Sequence, residues 1–124
     1  MLGAIADSGL RSCVVLSGDA HTGYVCDLKR DFDDEQAPPI ATEFCGTSIT
    51  SRGRAQSATD EVVRENPHIL HGDSARRGYV VLDVTPERCT VHLRVLGDAT
   101  DRYTDASTAA TFAVDASHPG AQRL

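Results

Sequence analysis

Residues Cys13-Val14-Val15-Leu16-Ser17 form a short apolar run rich in β-branched side chains, and Gly18-Asp19-Ala20-His21 follow it directly. The run suits a strand covered on both faces, because its side chains do not alternate between apolar and polar as those of a half-exposed strand would. Gly18 permits the sharp turn that lifts the next side chains off the sheet. A carboxylate and an imidazole two residues apart at the end of a strand can then face one metal ion. A second reading stays open on the residues alone: Asp19 caps the following turn through local backbone N–H groups, and His21 is an ordinary partly buried imidazole.

The rest of the chain reads as a strand-dominated domain. Leu2 to Leu10 carries apolar Leu2, Ile5 and Ala6 at helical spacing, with Gly9 near the stop. Strands are expected at Gly23 to Leu28, Ile40 to Cys45, Gly78 to Val84 and Cys89 to Leu96. The last two are joined by the turn Thr85-Pro86-Glu87-Arg88 into a hairpin. Ala109 to Val114 is expected as an edge strand, and Thr59-Asp60-Glu61 as the start of a short helix. Lys29 to Pro39 is a charged loop ended by two prolines. Its Asp31-Phe32-Asp33-Asp34 stretch lacks the alternating donors, central Gly and terminal Glu of a calcium-binding loop. The Gly- and Pro-containing end, residues 116–124, reads as a flexible tail.

Composition narrows the functional classes. The chain has 124 residues with 12 basic and 18 acidic side chains, a formal net charge of −6 that disfavours nonspecific attraction to nucleic acid or an anionic membrane. No basic stripe interleaved with aromatics is present. No apolar stretch approaches the roughly 20 residues of a membrane-spanning helix, and the first residues lack the pattern of a signal peptide. Cys13, Cys26, Cys45 and Cys89 are scattered without a CxxC pair and read as small buried hydrophobes.

Several other residues are candidates for chemistry. The Gly46-Thr47-Ser48 turn offers two hydroxyls and a backbone N–H that could approach a phosphate, as well as a plain exit from the Ile40–Cys45 strand. Arg52, Arg54 and Arg64 fit either an anion clamp or a solvated surface. Arg76 and Arg77 face either the site or water. Asn66-Pro67-His68 and His71 lie in a loop or extended stretch, where histidines are more often surface or supporting groups than ligands.

Six blocks in order resemble the C-terminal part of PhoD-like alkaline phosphatases of the metallophosphoesterase superfamily. They are Val14 to Tyr24, Asp31 to Asp34, Ala41 to Ser51, Asn66 to Ile69, Arg76 to Val80 and Val84 to Arg88. The resemblance implies an α+β fold: the strand-dominated C-terminal part of a two-sheet sandwich flanked by helices, spanning residues 1–115. It also implies a binuclear metal centre of which Asp19 and His21 are ligands, with iron and calcium as the associated ions. His68 becomes a candidate catalytic or substrate-positioning residue, Thr47 and Ser48 become candidate substrate contacts, and His71 is not carried over. Two six-coordinate ions need roughly six protein donors, so most would lie in an N-terminal half upstream of this segment.

The expected function is therefore hydrolysis of phosphate esters by a metal-dependent enzyme. The chain is expected to be its C-terminal portion, inactive alone and marginally stable because its sheet lacks neighbours. The alternatives are a non-catalytic metal- or phosphate-binding module and an inactive truncated product. Family members are typically exported, and no signal peptide is evident in this chain.

Overall fold

A computed structural model describes residues 1–124. The chain forms α1 (Leu2–Asp7), β1 (Cys13–Ser17), β2 (Gly23–Lys29), β3 (Pro39–Cys45), α2 (Gln56–Glu65) and β4 (Ile69–Asp73). There follow β5 (Gly78–Val84), β6 (Arg88–Leu96), β7 (Ala106–Asp115) and β8 (His118–Arg123). Two four-stranded sheets result, ordered β1-β3-β2-β4 and β5-β6-β7-β8. The strand-dominated α+β sandwich expected from the sequence is the fold observed.

The first sheet is the middle layer. Val25 and Phe44 point from it into a core shared with Val91, Leu93, Ala110, Phe112 and Val114 of the second sheet. The next residues along the same strands point the other way, as the two-residue period of a strand requires. Cys26, Leu28 and Ala41 thus pack with Leu2 and Ile5 of α1. Helix α2 rests on β4, where Gly72 leaves room for Thr59 and Val63; a Cβ at residue 72 would lie 2.8 Å from both side chains. No helix is long and apolar enough to cross a membrane.

Three expectations are corrected and one open reading is closed. β1 is an edge strand with β3 as its one neighbour, running parallel to it, so it is half-buried rather than covered on both faces, and Leu16 is 59% exposed. β7 is an interior strand between β6 and β8, not an edge. The end of the chain, expected to be flexible from residue 116, forms β8. Pro119 is tolerated there because an edge strand need not donate from every residue, and Gly120 takes φ +96 where a side chain would strike Pro39. Residues 69–73, read as loop or extended, pair with β2.

The pairing of strands decides where loops meet. β1 and β3 are parallel with Ser17 opposite Cys45, so both end at one edge of the sheet. β2 starts at that edge, with Tyr24 opposite Cys45, and β4 ends there, with Asp73 opposite Gly23. The loops at 18–22, 46–55 and 74–77 therefore leave the sheet side by side.

Candidate metal-binding end of the first sheet

The Gly18–Thr22 loop is held in an uncommon backbone shape. Asp19 and His21 both have positive φ, 66° and 52°, although neither is glycine. Asp and His are among the side chains that enter this left-handed region most readily, yet each such residue costs on the order of 1–3 kcal/mol unless its surroundings impose it. The loop's side-chain hydrogen bonds run from Thr22 Oγ1 to the Ala20 carbonyl (3.4 Å) and from His21 to the Arg52 carbonyl. Neither uses the Asp19 carboxylate, which stands exposed. The turn-capping role open to Asp19 on the sequence is thus not the one its side chain takes.

The bond from His21 decides the chemistry of its ring. Nδ1 lies 3.1 Å from the Arg52 carbonyl oxygen. A carbonyl only accepts, so Nδ1 must carry the proton, and in the neutral imidazole Nε2 is left with a free lone pair. Histidine ligands of metals are commonly arranged in this way, one nitrogen donating to a backbone carbonyl and the other free for the ion.

Behind His21 the packing is close. A Cβ on Gly53 would fall 2.5 Å from the His21 carbonyl oxygen and 2.8 Å from that of Ser74, so only glycine fits. Arg77, 9% exposed, donates through Nη1 to Ser51 O (2.6 Å), Ser48 Oγ (2.7 Å) and His21 O (3.3 Å), and through Nη2 to Ser74 O. Gln56 ties the start of α2 to the same turn: its Oε1 accepts from Ser74 N (2.9 Å) and Ala75 N (3.1 Å). Asp73 caps that turn, accepting from Ala75 N and Arg76 N at 3.1 Å and pairing with Arg76 at 2.6 Å.

The other candidates fare differently. Thr47 and Ser48 reach this end of the sheet, but their hydroxyl hydrogens are committed to the carbonyls of Arg76 and Ser51. The Gly46 N–H is likewise bonded to Ser17 O at 2.9 Å. These groups brace the loop rather than present donors to a phosphate. His68 lies elsewhere. Its carbonyl accepts from Asp27 N at 2.8 Å, four residues along β2 from Gly23 and so about 13 Å down the strand. Its ring packs edge-on against Phe32, centroids 4.7 Å apart. His71 points between the sheets toward Phe112.

Residues 1–93 match the model of a family described as PhoD-like phosphatase. The chain belongs to the PhoD-like phosphatase family. It is 34% identical over 123 residues to alkaline phosphatase D of Bacillus subtilis (strain 168), a match covering 97% of this chain and 21% of that protein. A solved chain titled "Structure of PhoD" superposes with a TM-score of 0.84 at 30% identity, over 99% of this chain and 24% of the other. This PhoD-like chain thus spans about a fifth of the length of the curated relative.

PhoD-like phosphatases are metal-dependent. In this chain no group of three or more His, Cys, Asp or Glu side chains is placed to hold a metal ion. What fits is a share of a site: one exposed carboxylate and one imidazole with its Nε2 free, on the same strand-end loop. The sequence points to both candidate donors because they lie two residues apart in the chain. It does not point to the Arg52 carbonyl, a backbone atom 31 residues away, or the need for glycine at residue 53. Of the two readings open for Arg77, facing the site or facing water, its buried guanidinium takes the side of the candidate site.

Proposed function

We propose that the chain contributes the Asp19 and His21 donors of a metal-dependent phosphoric ester hydrolase of the PhoD-like family. The observation that carries this reading is the His21 ring, whose Nδ1–H is bonded to the Arg52 carbonyl so that Nε2 is left bare, two residues from a carboxylate with no hydrogen-bond partner of its own. A bound ion would supply a hydroxide nucleophile and neutralise charge on the phosphate oxygens. The residues of this chain hold donors, fix the ring nitrogen that faces the ion, and brace the loop through Thr47, Ser48 and Arg77. Iron and calcium are the ions proposed, by family resemblance, and phosphate esters the substrates.

A second reading, a metal-binding module without turnover of its own, is favoured by the number of donors: two are present where a binuclear centre takes roughly six. Titration tests the donors that both readings share, and turnover separates the two. Mn2+ added to the purified chain should broaden the His21 ring and Asp19 amide resonances selectively. The same titration of the Asp19→Ala, His21→Ala double variant should broaden neither region. Equal Mn2+ binding by both proteins would remove these residues from the metal site. Hydrolysis of a chromogenic phosphate ester by wild type alone, lost in the double variant, would reject the module reading.

A further inference from the structure

We propose that Arg77 is a positioning residue whose guanidinium sets the His21 loop and, with Gly53, holds the His21 ring to the tautomer that leaves Nε2 free. Arg77 sits where three loops meet. It binds the carbonyl of His21 in the first, Ser48 and the carbonyl of Ser51 in the second, and the carbonyl of Ser74 in the third. The Arg52 carbonyl that receives the His21 Nδ1 proton is the next one after Ser51, so the hand that grips Ser51 also aims its neighbour.

A purely stabilising role does not explain this arrangement. None of the chain's ion pairs includes Arg77; its partners are carbonyl and hydroxyl oxygens. Burying a cation without a counter-charge is costly, and an apolar side chain of similar volume generally serves stability as well or better. What a guanidinium adds is a rigid planar fork with five N–H donors, able to reach several oxygens at fixed angles. Those oxygens belong to the loops that carry or face Asp19 and His21. The two positive-φ residues need such over-determination to persist. Gly53 completes the cradle, because a Cβ there would fall 2.5 Å from the His21 carbonyl oxygen and 3.0 Å from Arg77 Nη2.

The proposal takes its functional meaning from the reading of His21 as a metal donor, but its physical content is testable without metal. Ring 15N shifts at a pH where His21 is neutral report which nitrogen bears the proton. Wild type should show the Nδ1–H form. Arg77→Met, which keeps bulk and removes every donor, should give a mixture of tautomers, and Arg77→Lys should restore part of the wild-type signal. Gly53→Ala should act in the same direction and decides the matter if Arg77→Met does not fold. Arg76→Met, which removes the neighbouring arginine and its Asp73 pair, should leave the His21 signal unchanged. Mn2+ binding should weaken about 10- to 100-fold in Arg77→Met, the range seen when groups orienting a ligand are removed.

A folded Arg77→Met and a folded Gly53→Ala that both keep the pure Nδ1–H form would overturn the proposal. So would an equal tautomer shift in Arg76→Met, which would make the effect one of general loosening. Wild type that shows the Nδ1–H form, loses it in Arg77→Met and binds no Mn2+ would sustain the positioning role while ending the metal reading. Unchanged tautomer with intact metal binding would do the reverse.

Discussion

The two sheets are built on opposite plans. β5, β6, β7 and β8 follow one another in space as in sequence, each antiparallel to the next, so every pairing joins strands consecutive in the chain. The first sheet is ordered β1-β3-β2-β4, with a parallel pair at its edge and one long excursion, residues 46–68, between β3 and β4. All positive-φ non-glycine residues and the candidate metal donors lie on the first sheet's loops. A meander gains its contacts locally, and a parallel pair must bring distant segments together first. That cost has a return: parallel β1 and β3 end at the same edge, which brings the Asp19–His21 loop beside the Thr47–Arg52 loop. The second sheet supplies the inner wall against which this happens.

If the second sheet is the wall, breaking the shared core should take down both halves together. Phe112 is 1% exposed and packs from β7 against the first sheet's Val25 and Phe44. Phe112→Ala should cost about 3–5 kcal/mol. Urea unfolding followed through amides of both sheets should shift as one transition. Loss of the second sheet with the first intact would show two independent units and undo the comparison.

The next effect concerns the clip between the halves. Asp27 on β2 accepts from Thr42 Oγ1 at 3.0 Å and from the Ala121 amide of β8 at 2.9 Å, a contact bridging the two sheets. Bonds to an ionised acceptor are worth about 1.5–3 kcal/mol. Asp27→Ala should therefore destabilise by about 2 kcal/mol and release β8 first, seen as faster hydrogen exchange at Ala121 than at the β6–β7 amides. Uniform exchange across the second sheet would place the clip elsewhere.

The third is a trade between stability and chemistry confined to the first sheet. Asp19 holds φ 66 with no side-chain hydrogen bond to compensate. Glycine accepts that conformation freely, at the cost of greater freedom in the unfolded chain. Asp19→Gly should raise stability by about 0.5 kcal/mol while weakening Mn2+ binding. A destabilisation of 1 kcal/mol or more would show that the carboxylate supports the fold.

The same division explains how much could be read from the sequence. β1, β2 and the β5–β6 hairpin were legible because β-branched runs bounded by Gly18 or by Thr85-Pro86-Glu87 are local signals. β4 was not, since Pro67 left this stretch as loop or extended, and only pairing with β2 makes 69–73 a strand. Helix α2 begins at Gln56, three residues before the expected Thr59. Its first residue is fixed by the Ser74 turn rather than by a side-chain cap. At the candidate site, Asp19 and His21 were visible as near neighbours in sequence, and their supports were not, because they are backbone carbonyls and a glycine brought in from about 30 residues away. His68 entered as a candidate because Asn66-Pro67-His68 resembles the family pattern; the direction of β4 carries it to the far end of the sheet.

The cysteines illustrate that burial, not reactivity, explains some of the residue choices. Burial is the main cause pushing the Cys26 thiol up to about 12, with Glu43 adding to it, so the thiol stays protonated and behaves as a small hydrophobe. The histidines of the first sheet show the same influence with a consequence for pH. His71 is held below the ordinary imidazole value of 6.5 chiefly by burial, opposed by Asp73 and reinforced by Arg123 and Arg76. His68 is also lowered, by burial and by Lys29, against the pull of Asp27. With folded values below the unfolded one, the unfolded chain takes up protons first as pH falls. Stability is full above pH 6.5 and declines as pH drops through 6.5 toward the folded values. Urea midpoints measured from pH 8 to 5 should fall on the acid side, and His71→Gln should flatten the decline more than His68→Gln, since His71 lies deeper between the sheets. A midpoint that rises on acidification, or a slope unmoved by His71→Gln, would mean that the space between the sheets does not bury this ring.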